Sequence, residues 1–187
     1  MDAFLLALIL TFAIALGGRD QMIIAQFSSE LEGTAPLLAT GIFCAVLSAV
    51  IMAYAGASMA AILPQRAAEM LVAFALALAA FELAWPVKVK PMKEPTRSYV
   101  AIGAVLFARQ IGDGARFVIF ALAAWSVYPT TAAIGGALGG AAAVALGWSL
   151  GLSRMQQFPL RLVRLGFAAS LFLVALVIGL NARFAFL

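Results

Sequence analysis

The chain has 187 residues, 65% of them hydrophobic and 11% charged, with a formal net charge of +4. A soluble domain is nearer half apolar and a quarter charged, so the composition excludes a soluble enzyme or nucleic-acid-binding module. It predicts one polytopic membrane domain over residues 1–187. Histidine is absent and Cys44 is the single cysteine, which excludes His/Cys zinc sites, Cys/His nucleophiles and an internal disulfide.

Six apolar segments follow, each near the roughly 20 residues that a transmembrane helix needs. The first, residues 3–27, is interrupted by Ala15-Leu16-Gly17-Gly18-Arg19-Asp20-Gln21. Its start, Met-Asp, has no basic region, so it is expected to be a span and not a cleaved signal, although Ala13-Ile14-Ala15 looks like a cleavage site. Gln26, Ser28 and Ser29 at its end read as pathway lining or as a loop. The second, residues 35–63, is closed by Pro64 and has small residues at every fourth position: Gly41, Ala45, Ala49, Ala53 and Ala57. The third, residues 67–85, holds Glu82 near its end, an interfacial residue beside Trp85 and Lys88 or a proton carrier. Before it, Arg66 and Glu69 are spaced as a solvated helix-end pair. A basic linker, residues 86–97, carries three prolines and four basic residues. The fourth segment, residues 98–126, is interrupted by Gln110-Ile111-Gly112-Asp113-Gly114-Ala115-Arg116. The fifth, residues 130–152, repeats the small-residue spacing in Gly136 and Gly140, Gly135 and Gly139, and Gly147 and Gly151. Such stripes let helices approach closely in lipid, within one bundle or across a homodimer. The sixth covers residues 160–180. Trp85, Trp125 and Tyr128 sit where span ends fall and read as interfacial anchors.

Lys88, Lys90, Lys93, Arg97, Arg154, Arg161 and Arg164 fall on one side of a six-span chain, with little more than Arg66 and Arg183 on the other. Lys and Arg mark the cytoplasmic side, which makes the linker cytoplasmic and puts both termini outside. Shifting the sequence by 95 residues superposes Gly17 on Gly112, Ile24 on Ile119, Gly41 on Gly136, Gly56 on Gly151 and Pro64-x-Arg66 on Pro159-x-Arg161. Three spans per half place the halves in opposite orientations, as in many secondary transporters. The expected fold is an all-α membrane protein of six transmembrane helices, built as two inverted three-helix repeats over residues 1–85 and 98–187.

The two interruptions lie near the middle of their segments. A charge there costs about 2.5–3.5 kcal/mol on insertion scales and normally faces a cavity or a partner. Two breaks related by an inverted repeat mark a substrate site at the repeat interface. The alternative is that the charges merely pair: Arg109 and Asp113 are four apart and Asp113 and Arg116 three, both on one helix face. No nucleophile–base pair is visible, so an enzyme is not expected.

Two short Gly-acid-basic motifs on the first and fourth of six spans, an inverted repeat and a basic central linker resemble the GDT-type family. This family comprises the Golgi manganese/calcium transporters and their bacterial manganese-exporting relatives, with the motif Glu-x-Gly-Asp-(Lys/Arg)-(Ser/Thr) once in each half. Here Gly17, Arg19 and the following Gln21 fit the first copy, while Ala15 replaces Glu, Gly18 replaces Asp and Asp20 replaces the hydroxyl residue. In the second copy Gly112 and Asp113 are kept, Gln110 replaces Glu, and Gly114 and Ala115 replace the last two residues. The resemblance implies a secondary transporter of Mn²⁺ or Ca²⁺, exchanged for protons across a bacterial inner membrane, with no resident cofactor. It implies an ion pathway of Asp113, Gln110, Asp20, Gln21, Gly17, Gly18 and Gly112, with Asp113 and Asp20 as metal ligands and Arg19, Arg109 and Arg116 tuning the field. Hard oxygen ligands suit both ions. With most of the family's carboxylates replaced and three arginines near the site, the alternatives are an anionic substrate or a regulatory protein that does not transport.

Overall fold

The computed structural model describes residues 2–31, 34–87 and 97–184. The six apolar segments form eight helices: α1 (Asp2–Ala15), α2 (Arg19–Glu30), α3 (Ala35–Ile62), α4 (Gln65–Ala84), α5 (Tyr99–Ile111), α6 (Gly114–Trp125), α7 (Pro129–Met155) and α8 (Leu160–Phe184). No strand occurs among the described residues. Helices α3, α4, α7 and α8 are each long and apolar enough to cross a membrane, and α1 with α2 qualifies as one span bent by 62°. Helices α5 and α6 are shorter apolar helices of 13 and 12 residues. Large apolar side chains such as Phe43, Tyr54, Phe74 and Phe172 point outward, as lipid-facing residues do. The linker lysines Lys88, Lys90 and Lys93 lie outside the described residues.

The first and fourth segments each split in two, and glycine conformation explains the first break. Gly17 adopts φ 70°, the left-handed conformation that ends helices and that glycine reaches without a Cβ penalty. It also faces the start of α8, where a Cβ would lie 2.8 Å from Leu160 Cβ. Gly18 then extends the chain (φ −64°, ψ 161°) as the N-cap of α2. At the second break Gly112 ends α5, and Asp113 (φ −87°, ψ 146°) is the N-cap of α6. Helix α6 begins 95 residues after α2, and α8 begins 95 residues after α4.

Small residues let the bundle close, since lipid offers no hydrophobic drive for helices to associate. Gly135 and Gly139 of α7 lie directly against the backbone carbonyls of Phe4 and Leu8 of α1, and Gly56 of α3 lies against the Phe120 carbonyl of α6. Ala45 and Gly140 meet where α3 crosses α7. The stripe of Gly41, Ala45, Ala49 and Ala53 is buried inside this chain, which accounts for it without a second copy. Gly41 and Gly136 play the same role in the two halves. A Cβ on Gly41 would lie 2.9 Å from Ile24 Cδ1, and a Cβ on Gly136 2.6 Å from Ile119 Cδ1. Helix α7 packs on α1 and α2, as α3 packs on α5 and α6; α4 lies along α8 and also along α6. Helix α8 makes no comparable contact with α2. The main apolar cluster, with Ile14, Leu76, Leu83, Val118 and Leu171, sits beside the two breaks.

Candidate functional site at the two helix breaks

Arg116, in the first turn of α6, is fully buried. Its Nη1 lies 3.6 Å from Asp113 Oδ2 and 3.9 Å from Asp20 Oδ2. One guanidinium therefore stands between a carboxylate of each break. Its Nε donates to Ser48 Oγ at 3.0 Å, and Ser48 Oγ donates to Gln110 Oε1 at 3.2 Å. These contacts anchor the arginine to α3 and α5. Arg116 Nη1 and Nη2, Gln110 Nε2 and Asp113 Oδ2 make no hydrogen bond among the described residues. A buried polar group left without a partner costs about 1–3 kcal/mol; here Arg116 Nη1 and Asp113 Oδ2 are compensated only by their ion pair.

Asp20 is 3% exposed and Asp113 5%. Asp20 Oδ1 accepts from the Gln21 backbone N–H at 2.8 Å, in the positive first turn of α2. The helix break turns Asp20 inward. Both aspartates line a cavity of about 230 Å³, together with Arg19, Arg109, Gly112, Ala108 and Glu82. Arg19 and Arg109 make no ion pair among the described residues. The i,i+4 pairing of Arg109 with Asp113 is absent, because Asp113 belongs to the next helix and the break separates their faces. The i,i+3 pair of Asp113 with Arg116 is present.

Gln21 does not line the cavity. Its Oε1 accepts from Gly17 N at 2.7 Å and its Nε2 donates to the Ala143 carbonyl at 2.8 Å. It braces the first break against the middle of α7. Gly18 is buried behind Asp20, whose Oδ1 would lie 2.9 Å from a Cβ there. Gln110 is buried behind the cavity in the Ser48–Arg116 chain. Ser28 donates to the Trp148 carbonyl at 2.6 Å, and Ser29 accepts from Leu152 N at 3.0 Å, so both tie α2 to α7 and belong to no open loop.

Glu82 has partners that its place beside Trp85 in the sequence did not show. Its Oε2 accepts from Gly114 N, the first residue of α6, at 3.3 Å, and lies 3.3 Å from Arg164 Nη2. Arg164 also donates to the Glu82 backbone carbonyl at 3.2 Å. Arg164 is 4% exposed, so it is a buried partner and not a solvated loop charge. Ser48, Glu82 and Arg164 are the residues that sequence reasoning underrated. The available signal was that Glu82 is the one acid within the apolar part of α4.

Arg164 offsets Glu82 and Arg116 offsets one of the two aspartates; with Arg19 and Arg109 on the same cavity wall, three acids face four arginines and the formal sum is +1. No group of three or more acid, His or Cys side chains among the described residues is placed to hold a metal ion. The site offers two close carboxylates, a third acid on the cavity wall and arginines at the mouth. Compared with known proteins, the chain matches no family model, no curated protein and no solved structure.

Proposed function

We propose that the chain is a secondary transporter of a small divalent cation, Mn²⁺ or Ca²⁺, exchanged for protons through a site at the two helix breaks. The observation that carries this reading is that Asp20 and Asp113, one from each break, share one guanidinium and one cavity. Between the breaks two carboxylates share one buried guanidinium, so against the opposing field of Arg19 and Arg109 on the same wall the ligand they would accept is a cation or a proton. Buried carboxylates exchange the two readily, since low dielectric disfavours leaving them bare. Ca²⁺ takes about six to eight oxygen ligands, so the two aspartates would supply only part of a shell and water the rest.

The architecture in this reading is six spans in two inverted three-helix repeats, with α1/α2 and α5/α6 each a broken span. It is supported by the 95-residue offset of α6 from α2 and of α8 from α4, and by the matched Ile24–Gly41 and Ile119–Gly136 contacts. The basic loops then face the cytoplasm of a bacterial inner membrane, with both termini outside.

Arg19 and Arg109 on the cavity wall favour a second reading, an anionic substrate held at the mouth. Flux into proteoliposomes under a proton gradient separates the two. Mn²⁺ or Ca²⁺ uptake that Asp113→Asn abolishes, in protein that still elutes as one folded species, supports cation exchange. Folded wild-type protein that moves neither ion sinks that reading and leaves the anionic substrate or a protein that does not transport.

A further inference from the structure

A second cavity, of about 250 Å³, lies on the other side of the Glu82–Arg164 pair. Glu82 lines the central cavity and Arg164 lines this one. Its wall is formed by the end of α4, the α7–α8 connection and the first turns of α8, including Trp85, Gln156, Leu160, Arg161 and Leu165. Two arginines and no carboxylate occur among its described lining residues.

Arg164 is the unusual member. It is 4% exposed. Its Nη2 is committed to Glu82, but its buried Nη1 makes no hydrogen bond among the described residues. Arg161, one turn earlier on the same face of α8, is exposed. An arginine fork matches the oxygens of a phosphate group, and a charge-assisted bond there is stronger than a neutral one. The cavity is larger than a bare anion needs, and Leu83, Leu160 and Leu165 give it an apolar side. A basic pocket between membrane helices with such a wall suits the headgroup of an anionic lipid.

We propose that this cavity binds a phosphate group, with the guanidinium groups of Arg164 and Arg161 as its ligands. The phosphate is supplied by an anionic phospholipid headgroup or by free phosphate. Nη1 has no exposed surface in this structure, so Arg164 turns that edge toward the cavity when the anion binds, while Nη2 keeps Glu82. It stands whether or not the protein transports cations.

The test uses the full chain purified in a neutral detergent, titrated with phosphatidylglycerol, with phosphatidylcholine and with inorganic phosphate, and read by thermal shift and native mass spectrometry. Saturable binding of phosphatidylglycerol over phosphatidylcholine assigns the lipid source, and saturable binding of inorganic phosphate assigns the free one. Arg161→Gln, at an exposed position that does not endanger folding, is expected to weaken that binding about tenfold through loss of one charge-assisted contact. Arg164→Gln is expected to abolish it where the protein folds. Arg154→Gln removes an exposed arginine outside the cavity and is expected to leave binding within about twofold. The proposal is overturned if neither phosphate source binds, or if Arg161→Gln and Arg154→Gln weaken binding equally.

Discussion

Asp20 and Asp113 stand on either side of Arg116, with their Oδ2 atoms 3.9 and 3.6 Å from the same Nη1. They belong to different helix breaks in different halves of the chain, so the guanidinium is the joint between the halves as well as a charge in the site. Neither contact is a hydrogen bond; among the described residues the one formed bond of this side chain is from Nε to Ser48. The arginine is therefore anchored at its neck while its tip stays between two acids.

Arg116→Met should unmask this arrangement. The substitution keeps the volume roughly but leaves Asp20 and Asp113 buried without a counter-charge, which costs about 3–5 kcal/mol when a buried pair is broken. The thermal midpoint in detergent should fall sharply. Combining it with Asp113→Asn should recover part of the loss, a coupling that a double-mutant cycle measures. Strict additivity would mean that the two side chains do not interact.

Glu82→Gln tests the wall of the cavity. The amide oxygen can still accept from Gly114 N, but Arg164 loses its only carboxylate among the described residues. A destabilisation of about 1–3 kcal/mol is expected for a mostly buried charge left without its partner. If the thermal midpoint is unchanged, the Glu82–Arg164 bridge contributes nothing to folding.

Glycine substitutions should sort by what lies opposite. Gly56→Ala would press a methyl group on the Phe120 carbonyl, and Gly17→Ala would combine φ 70° with a contact to Leu160. Each should cost about 1–3 kcal/mol. Gly166→Ala meets nothing within 4 Å, so it should be neutral or stabilising by about 0.5–1 kcal/mol through helix propensity alone. The order of thermal midpoints across the three variants checks this, and a Gly166→Ala midpoint as low as the others would refute the packing account.

Labelling can test the orientation of the proposed spans. Cys44 is 4% exposed, so the unmodified protein should react little with an impermeant maleimide. Val127→Cys, between α6 and α7, should be labelled on intact cells. Gln157→Cys, between α7 and α8, should react only after permeabilisation. Labelling of both from one side would show that α7 does not separate the two compartments.

The apolar segments and both breaks were legible in the sequence, because they depend on near neighbours. Hydropathy over about 20 residues decides where a helix suits lipid, and Gly17 and the Gly112–Asp113 pair carry their turning tendency with them. Asp20, Asp113 and Arg116 could be marked as candidates from their position in apolar runs alone. The tertiary structure decided which of these residues meet. Gln21 turns to the Ala143 carbonyl of α7 and leaves the cavity. Glu82 reaches the start of α6, and Arg164 comes back to it from α8, 82 residues further along the chain. No local rule foretells such pairings, since each is chosen by how closely whole helices approach. That approach is set here by glycines pressed against another helix's backbone.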